Sequence, residues 1–187
     1  NPVMGLYTFN DISLEVCPDE IETRARLAPL WLNLSFVPTK EIVGGSHHLS
    51  IRLHDESMKA PSEARPLFQA GGFSALEDGD NFYLTDDSSL FHLQAASGLG
   101  DAHLASSFFV QPELVQCNFW SFGLLKLLRP LKFYSLHAAG LVTPAGEGVL
   151  IIGPSGSGKS TLALGLIRCG WRYLSDDALL LHPVSDG

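Results

Sequence analysis

The chain has 187 residues, 45% of them apolar and 17% charged, with a formal net charge of −8; this is the composition of a soluble globular protein of one or two domains. No apolar stretch approaches the roughly 20 residues that cross a bilayer, and the acidic balance contains no Lys/Arg run, so neither membrane nor nucleic acid is an expected partner. Cys17, Cys117 and Cys169 are widely spaced, with no CxxC metal pattern and no disulfide framework; with no signal peptide visible, the expected compartment is the reducing cytoplasm.

The chain opens on Asn1 and Pro2 rather than methionine, which reads as trimming, processing or expression-derived residues. Residues 20–27 suit a short helix opened by Pro18 and ended before Pro29. Short β-rich runs then recur at 49–53, 72–76, 81–84, 90–93 and 104–110. Turn clusters at 77–81, 85–89 and 97–101 separate the later ones at the spacing of an antiparallel meander. Residues 57–66, with Pro and Ala and no periodicity, read as a loop. Residues 1–111 are therefore expected to form a β-rich region, a docking or regulatory module.

From Pro112 to Arg129 the pattern turns helical. Val115, Phe119, Trp120, Phe122, Leu124, Leu125, Leu127 and Leu128 spread around the wheel, which predicts a buried helix, over 112–130, connecting two regions. Pro112 and Glu113 suit its first turn, Lys126 and Arg129 its last, and Pro130 is expected to stop it. Residues 131–142 then read as one strand bearing His137, followed by a turn at 144–148 and a second strand at 148–152, together a hairpin. A helix over 161–169 ends at Gly170, and residues 171–181 form two short β runs with Asp176 and Asp177 between them. The Asp-bearing strand is expected beside the strand of 148–152 in a parallel sheet.

The most informative residues are Gly153, Pro154, Ser155, Gly156, Ser157, Gly158, Lys159, Ser160 and Thr161. A strand on one side and a helix on the other give this run the context of a phosphate-binding loop. The glycines let backbone N–H groups point inward at an anion, and the helix adds its positive end. Lys159 supplies charge for the β- and γ-phosphates of ATP, and the Ser160 hydroxyl is the expected Mg²⁺ ligand. Asp176 and Asp177 follow Lys159 by 17 and 18 residues. Near the γ-phosphate, one carboxylate can accept a hydroxyl proton while the other holds Mg²⁺. The alternative is an Asp-Asp turn in solvent, as Thr85, Asp86 and Asp87 illustrate within the same chain. A lone His137 on an apolar strand also fits a hydrogen-bonded core histidine.

His137, the hairpin, the loop 153–161, Gly170 and the run Ser175, Asp176, Asp177 together resemble the catalytic domain of HPr serine kinase/phosphorylase, most nearly its HPr-kinase-related branch. The resemblance covers roughly residues 112–182 and implies a fold similar to the phosphoenolpyruvate carboxykinase core. It implies Asp176 as base for an acceptor serine, Asp177 as a metal-side carboxylate and His137 as a polar neighbour of the reacting groups. Thr161 departs from the Glu common in the bifunctional enzymes, and the hairpin is one residue longer than theirs. The chain stops 28 residues past Lys159, before further carboxylates and strands that such a domain uses. The expected fold is thus α/β, an incomplete phosphate-loop domain over 131–187 preceded by a mainly β region. An incomplete sheet exposes apolar edges, so self-association is expected too. Three functions remain open: a Mg-ATP-dependent serine kinase acting on a protein or peptide, a noncatalytic nucleotide-binding or interaction module, and a small-molecule kinase.

Overall fold

The computed structural model describes residues 5–18, 36–40, 47–176 and 179–183. The helix expected at 20–27 lies outside them. The fold is mixed α/β, with a large sheet of strands and, among the described residues, two α-helices. No helix among the described residues is long and apolar enough to cross a membrane. The chain divides into two compact units, Asn1–Leu131 and Lys132–Gly187.

In the first unit nine strands make one sheet, in the order β3-β1-β2-β4-β9-β8-β7-β6-β5. β1 (Gly5–Phe9) and β2 (Ile12–Pro18) form a tight hairpin in which Asn10 takes a left-handed φ of 52°, the turn chemistry that Asn tolerates. β3 (Val37–Thr39) pairs with β1. β2 pairs parallel with β4 (His47–His54), and β4 pairs parallel with β9 (Leu99–His103). From β9 the sheet continues as the expected antiparallel meander through β8 (Leu90–Gln94), β7 (Asn81–Thr85) and β6 (Phe73–Asp78) to β5 (Arg65–Ala70).

Alternation sets the faces: Leu49, Ile51 and Leu53 of β4 are buried while their neighbours are not. Helix α1 (Glu113–Leu128) buries Phe119, Trp120, Leu124, Leu127 and Leu128. Its aromatics meet those of the sheet, Phe119 standing edge-on to Phe73 and Trp120 edge-on to Phe91. Not every face is covered, since Leu114 is 70% exposed and Phe122 41%. On β7 and β8, Tyr83 and Leu90 cluster with Ala64 of the Pro- and Ala-containing loop.

Two expectations need correction here. The strand expected at 104–110 is absent: Ser106–Val110 is a 3-10 turn that drops Phe108 into the core, and the strand is Leu99–His103, in what read as a turn cluster. Gly98 does turn the chain, with φ 70°, but Gly100 serves close packing, because a Cβ there would lie 3.0 Å from the Phe91 ring and 3.1 Å from Leu93. β5 was hidden by Pro66, which a sheet tolerates at its edge, here beside a bulge between Pro66 and Phe68. The α-helix does end before Pro130, at Leu128, and a 3-10 turn, Arg129–Leu131, follows it.

The second unit departs further from expectation. Residues 131–142 are not one strand but two, β10 (Tyr134–Leu136) and β11 (Ala139–Val142), which break at His137 and enter different sheets. β10 pairs with β14 (Leu179–Leu181). β11 forms the expected hairpin with β12 (Gly148–Ile151). The Asp-bearing strand β13 (Arg172–Ser175) pairs with β11, not with β12, and all pairings in this three-stranded sheet are antiparallel. The hairpin has already occupied one edge of β11, so the chain returning from helix α2 (Lys159–Arg168) takes the other. Ala139, Leu141 and Ala163 form the core beneath α2, and Gly140 leaves room for Leu179, which a Cβ would approach at 2.8 Å.

Helix α1 lies close on the sheet at Gly123, where a Cβ would overlap the Phe91 ring. Gly→Ala inside a helix ordinarily stabilises by about 1 kcal/mol, but overpacking costs about 1–3 kcal/mol. Gly123→Ala is therefore expected to lower stability in urea unfolding, and Phe91→Leu in the same background to recover part of the loss. A stabilised Gly123→Ala would show that the ring yields freely.

Candidate functional site

Residues 153–158 leave the end of β12 and enter α2 as a glycine loop. Gly156 and Gly158 have φ of 76° and 86°, a region that L side chains rarely adopt. Gly158 is the N-cap of α2, and its carbonyl accepts from Leu162 N–H at 2.9 Å. The loop is tightened by Ser157 N–H donating to the Pro154 carbonyl at 3.2 Å. Gly153 is needed for space: a Cβ there would stand 2.7 Å from Ser157 Oγ. The first N–H groups of a helix have no partner within it and carry the positive end of its dipole.

Lys159 opens α2 and is only 8% exposed. Its Nζ donates to the carbonyls of Gly153 at 2.9 Å and Pro154 at 3.1 Å. A buried ammonium demands such partners, and the loop carbonyls satisfy it. They hold the charge at the loop.

A cavity of about 420 Å³ opens beside the loop, within the range of small-molecule sites. Ser155, Gly156, Gly158, Lys159, Ser160 and Thr161 line one side, and His137 and Asp176 line it as well. His137 reaches it from the break between β10 and β11, and Asp176 from the bend after β13. Of the residues singled out in the sequence, Gly153, Pro154 and Ser157 shape the loop without lining the cavity, and Asp177 lies outside the described residues. A larger cavity of about 880 Å³ lies in the first unit, against the 59–64 loop and β5, with Lys59 and Asp87 as its charged groups. It gathers none of the predicted site residues, so size is a poorer guide here than chemistry.

Sequence reading missed Tyr173. Its hydroxyl donates to Asp176 Oδ1 at 3.0 Å, tying the carboxylate to β13. The available signal was a phenol three residues before a carboxylate at a strand end. This hydrogen bond, above all, pushes the exposed Tyr173 phenol above its ordinary value, because ionisation would remove the donor and set an anion beside Asp176.

No family model matches the chain, and no solved structure gives a significant match. Similarity to curated proteins is confined to parts of the chain. It is 50% identical to the HPr kinase/phosphorylase of Lachnoclostridium phytofermentans over 52 residues, 28% of this chain and 16% of that protein. With the HPr kinase/phosphorylase of Limosilactobacillus reuteri it shares 54% identity over 59 residues, 32% of this chain and 18% of that protein. With that of Clostridium beijerinckii it shares 38% over 76 residues, 41% and 25% of the two chains. The chain carries an HPr kinase-like segment. It spans between 16% and 25% of the length of these relatives.

The Tyr173–Asp176 hydrogen bond has a spectroscopic consequence. Asp176→Asn removes the carboxylate that raises the phenol, so one tyrosine should titrate at lower pH than in the parent chain when ultraviolet absorbance is followed in alkali. Tyr173→Phe identifies that tyrosine by its loss. Superimposable titrations of the parent and Asp176→Asn would show that the two side chains do not interact in solution.

Proposed function

We propose that the glycine loop binds the phosphates of Mg-ATP and that the chain belongs to a cytoplasmic serine kinase of the HPr kinase type acting on a protein or peptide. The observation that carries this reading is the meeting of Lys159, Ser160, His137 and Asp176 around one cavity. Partial identity to HPr kinase/phosphorylases supports the kinase class, and a protein acceptor is the substrate their name suggests.

In this reading the loop is a phosphate cradle. Backbone N–H groups of the loop and of the first turn of α2 bind phosphate oxygens, and Lys159 transfers its hydrogen bonds from the Gly153 and Pro154 carbonyls to the β- and γ-phosphates. Ser160 and Asp177 are the residues that would hold Mg²⁺, which when bound neutralises charge on the phosphates. Asp176 takes the proton of the acceptor serine hydroxyl. The serine oxygen forms its bond to the γ-phosphorus as the bond to the β,γ-bridging oxygen breaks, and ADP leaves with that electron pair. His137 is a polar neighbour that orients the reacting groups. The catalytic proton acceptor must stand within hydrogen-bond reach of the hydroxyl, and the place of Asp176 in the cavity lining supports that role.

Lys159→Ala is expected to weaken ATP binding about 10- to 100-fold, the worth of hydrogen bonds to a charged group. Calorimetry on the two forms checks this, and equal affinities would dismiss the loop as the nucleotide site. Asp176→Asn in the full-length protein should keep most ATP affinity while single-turnover transfer from γ-labelled ATP falls by about 10² to 10⁴-fold, the range for losing a general base; His137→Ala should cost less. Comparing free serine, a serine peptide and no acceptor separates a protein kinase from a small-molecule kinase and from a noncatalytic nucleotide sensor. Wild-type transfer by Asp176→Asn would reduce the Asp pair to a turn.

A further inference from the structure

His54 closes β4 and His103 closes β9, and the parallel register makes them direct partners across the ladder. Their imidazoles stack with centroids 4.4 Å apart and 12° between planes, so both rings occupy one face of the sheet. Glu56 follows His54 by two residues and brings its carboxylate to His103 Nδ1 at 3.1 Å. One ring nitrogen of each histidine and one Glu56 oxygen lie within 4.8 Å of one another, the one such group found among the described residues.

We propose that His54, His103 and Glu56 form a binding site for a divalent transition-metal ion of the zinc class, with Asp101 as its positioning carboxylate. A tetrahedral ion bonded at about 2.0–2.2 Å holds its ligands about 3.4 Å apart, so ligand atoms that lie within 4.8 Å must close by up to about 1.4 Å, and the stacked imidazoles must turn out of parallel for each to aim a ring nitrogen at the ion. The exposed Glu56 side chain, 68% accessible, has the freedom to close. Two imidazoles with one carboxylate favour zinc, cobalt or nickel over magnesium or calcium, which prefer oxygen ligands alone. Behind the ligands, Asp101 Oδ1 lies 3.2 Å from His54 Nε2 and is fixed by Arg52, whose Nε donates to it at 2.8 Å. A carboxylate that orients a ligating imidazole is the usual outer partner of such a site. Three protein ligands leave a coordination position for water or a group from a binding partner. The site shares no residue with the glycine-loop cavity.

The test is calorimetric titration of the whole chain with zinc sulfate at neutral pH, repeated with cobalt(II) while visible absorption is followed. A single equivalent of zinc is expected to bind, with affinity reduced at least about tenfold in Glu56→Gln and in His103→Gln. The cobalt absorption of a tetrahedral site should be lost in both. Glu56→Gln alters an exposed side chain and keeps the experiment decisive if the His103 variant does not fold. Asp101→Asn should retain the cobalt absorption but bind about 10- to 100-fold more weakly. A His47→Ala/His48→Ala variant should bind as the parent does; dependence on those residues instead would mark adventitious binding by neighbouring exposed histidines. No zinc binding, or binding unchanged in Glu56→Gln, would overturn the site and leave the cluster a pair of His–carboxylate hydrogen bonds.

Discussion

Two strands that both run antiparallel to a third must run parallel to each other. In the second unit β12 and β13 both pair antiparallel with β11. Their C-terminal ends and the N-terminal end of β11 therefore lie at the same edge of the small sheet. The register makes this concrete: Ile151, from which the glycine loop departs, faces Ala139, and Ser175, which precedes Asp176, faces Gly140. His137 stands two residues before Ala139. Backbone pairing alone thus delivers the loop, the histidine and the aspartate to one rim, before any side chain makes a contact. The connection from β12 through α2 to β13 skips one strand, and Ala163 of α2 packs on Ala139 and Leu141 of the skipped strand. Small residues at that contact let the helix lie close, which brings its positive end to the rim as well.

The same rim explains how Lys159 can be almost fully buried. Its ammonium group is satisfied by two carbonyls of its own loop. Those carbonyls belong to Gly153 and Pro154, which do not line the cavity, whereas Lys159 itself does. Because the donor is an ammonium, both hydrogen bonds are charge-assisted, the stronger kind.

Much of this was legible from residue pattern. The hairpin of β11 and β12, the helix after the loop, and the meander from β6 to β8 stand where alternation and turn residues put them. Pattern failed where a residue's reason was tertiary. Gly100 reads as a turn former yet sits in a strand, because only the arrangement of Phe91 and Leu93 shows what a side chain there would strike. Pro66 reads as a loop residue until its strand is known to be an edge. The break at His137 has no local marker, since apolar residues continue across it; it is set by the two different partners that β10 and β11 find far along the chain. Strand order is likewise invisible in sequence, so the Asp-bearing strand was paired with the wrong neighbour although its end still reaches the same rim. His54 and His103 lie 49 residues apart and only the parallel register joins them.

The chain contains its own control for the meaning of an Asp-Asp pair. Asp86 and Asp87 follow Thr85 as Asp176 and Asp177 follow Ser175, hydroxyl residue then two carboxylates at the end of a strand. At Asp86 the carboxylate is consumed by structure: Oδ1 accepts from Ser88 N–H and Ser88 Oγ at 3.0 Å and from Ser89 N–H at 2.6 Å, while Gln111 donates to Oδ2. Asp87 takes a left-handed φ of 73° as the turn requires. This is an Asx turn in which side-chain oxygens stand in for a backbone acceptor. Asp176 has different neighbours among the described residues: it lines a cavity with Lys159 and His137, and Tyr173 donates to its Oδ1. A carboxylate saturated by its own turn, as at Asp86, cannot also accept a substrate proton. Two closely similar short sequences are thus separated by their surroundings, since Asp86 is held by its own turn while Asp176 lines a cavity with Lys159 and His137.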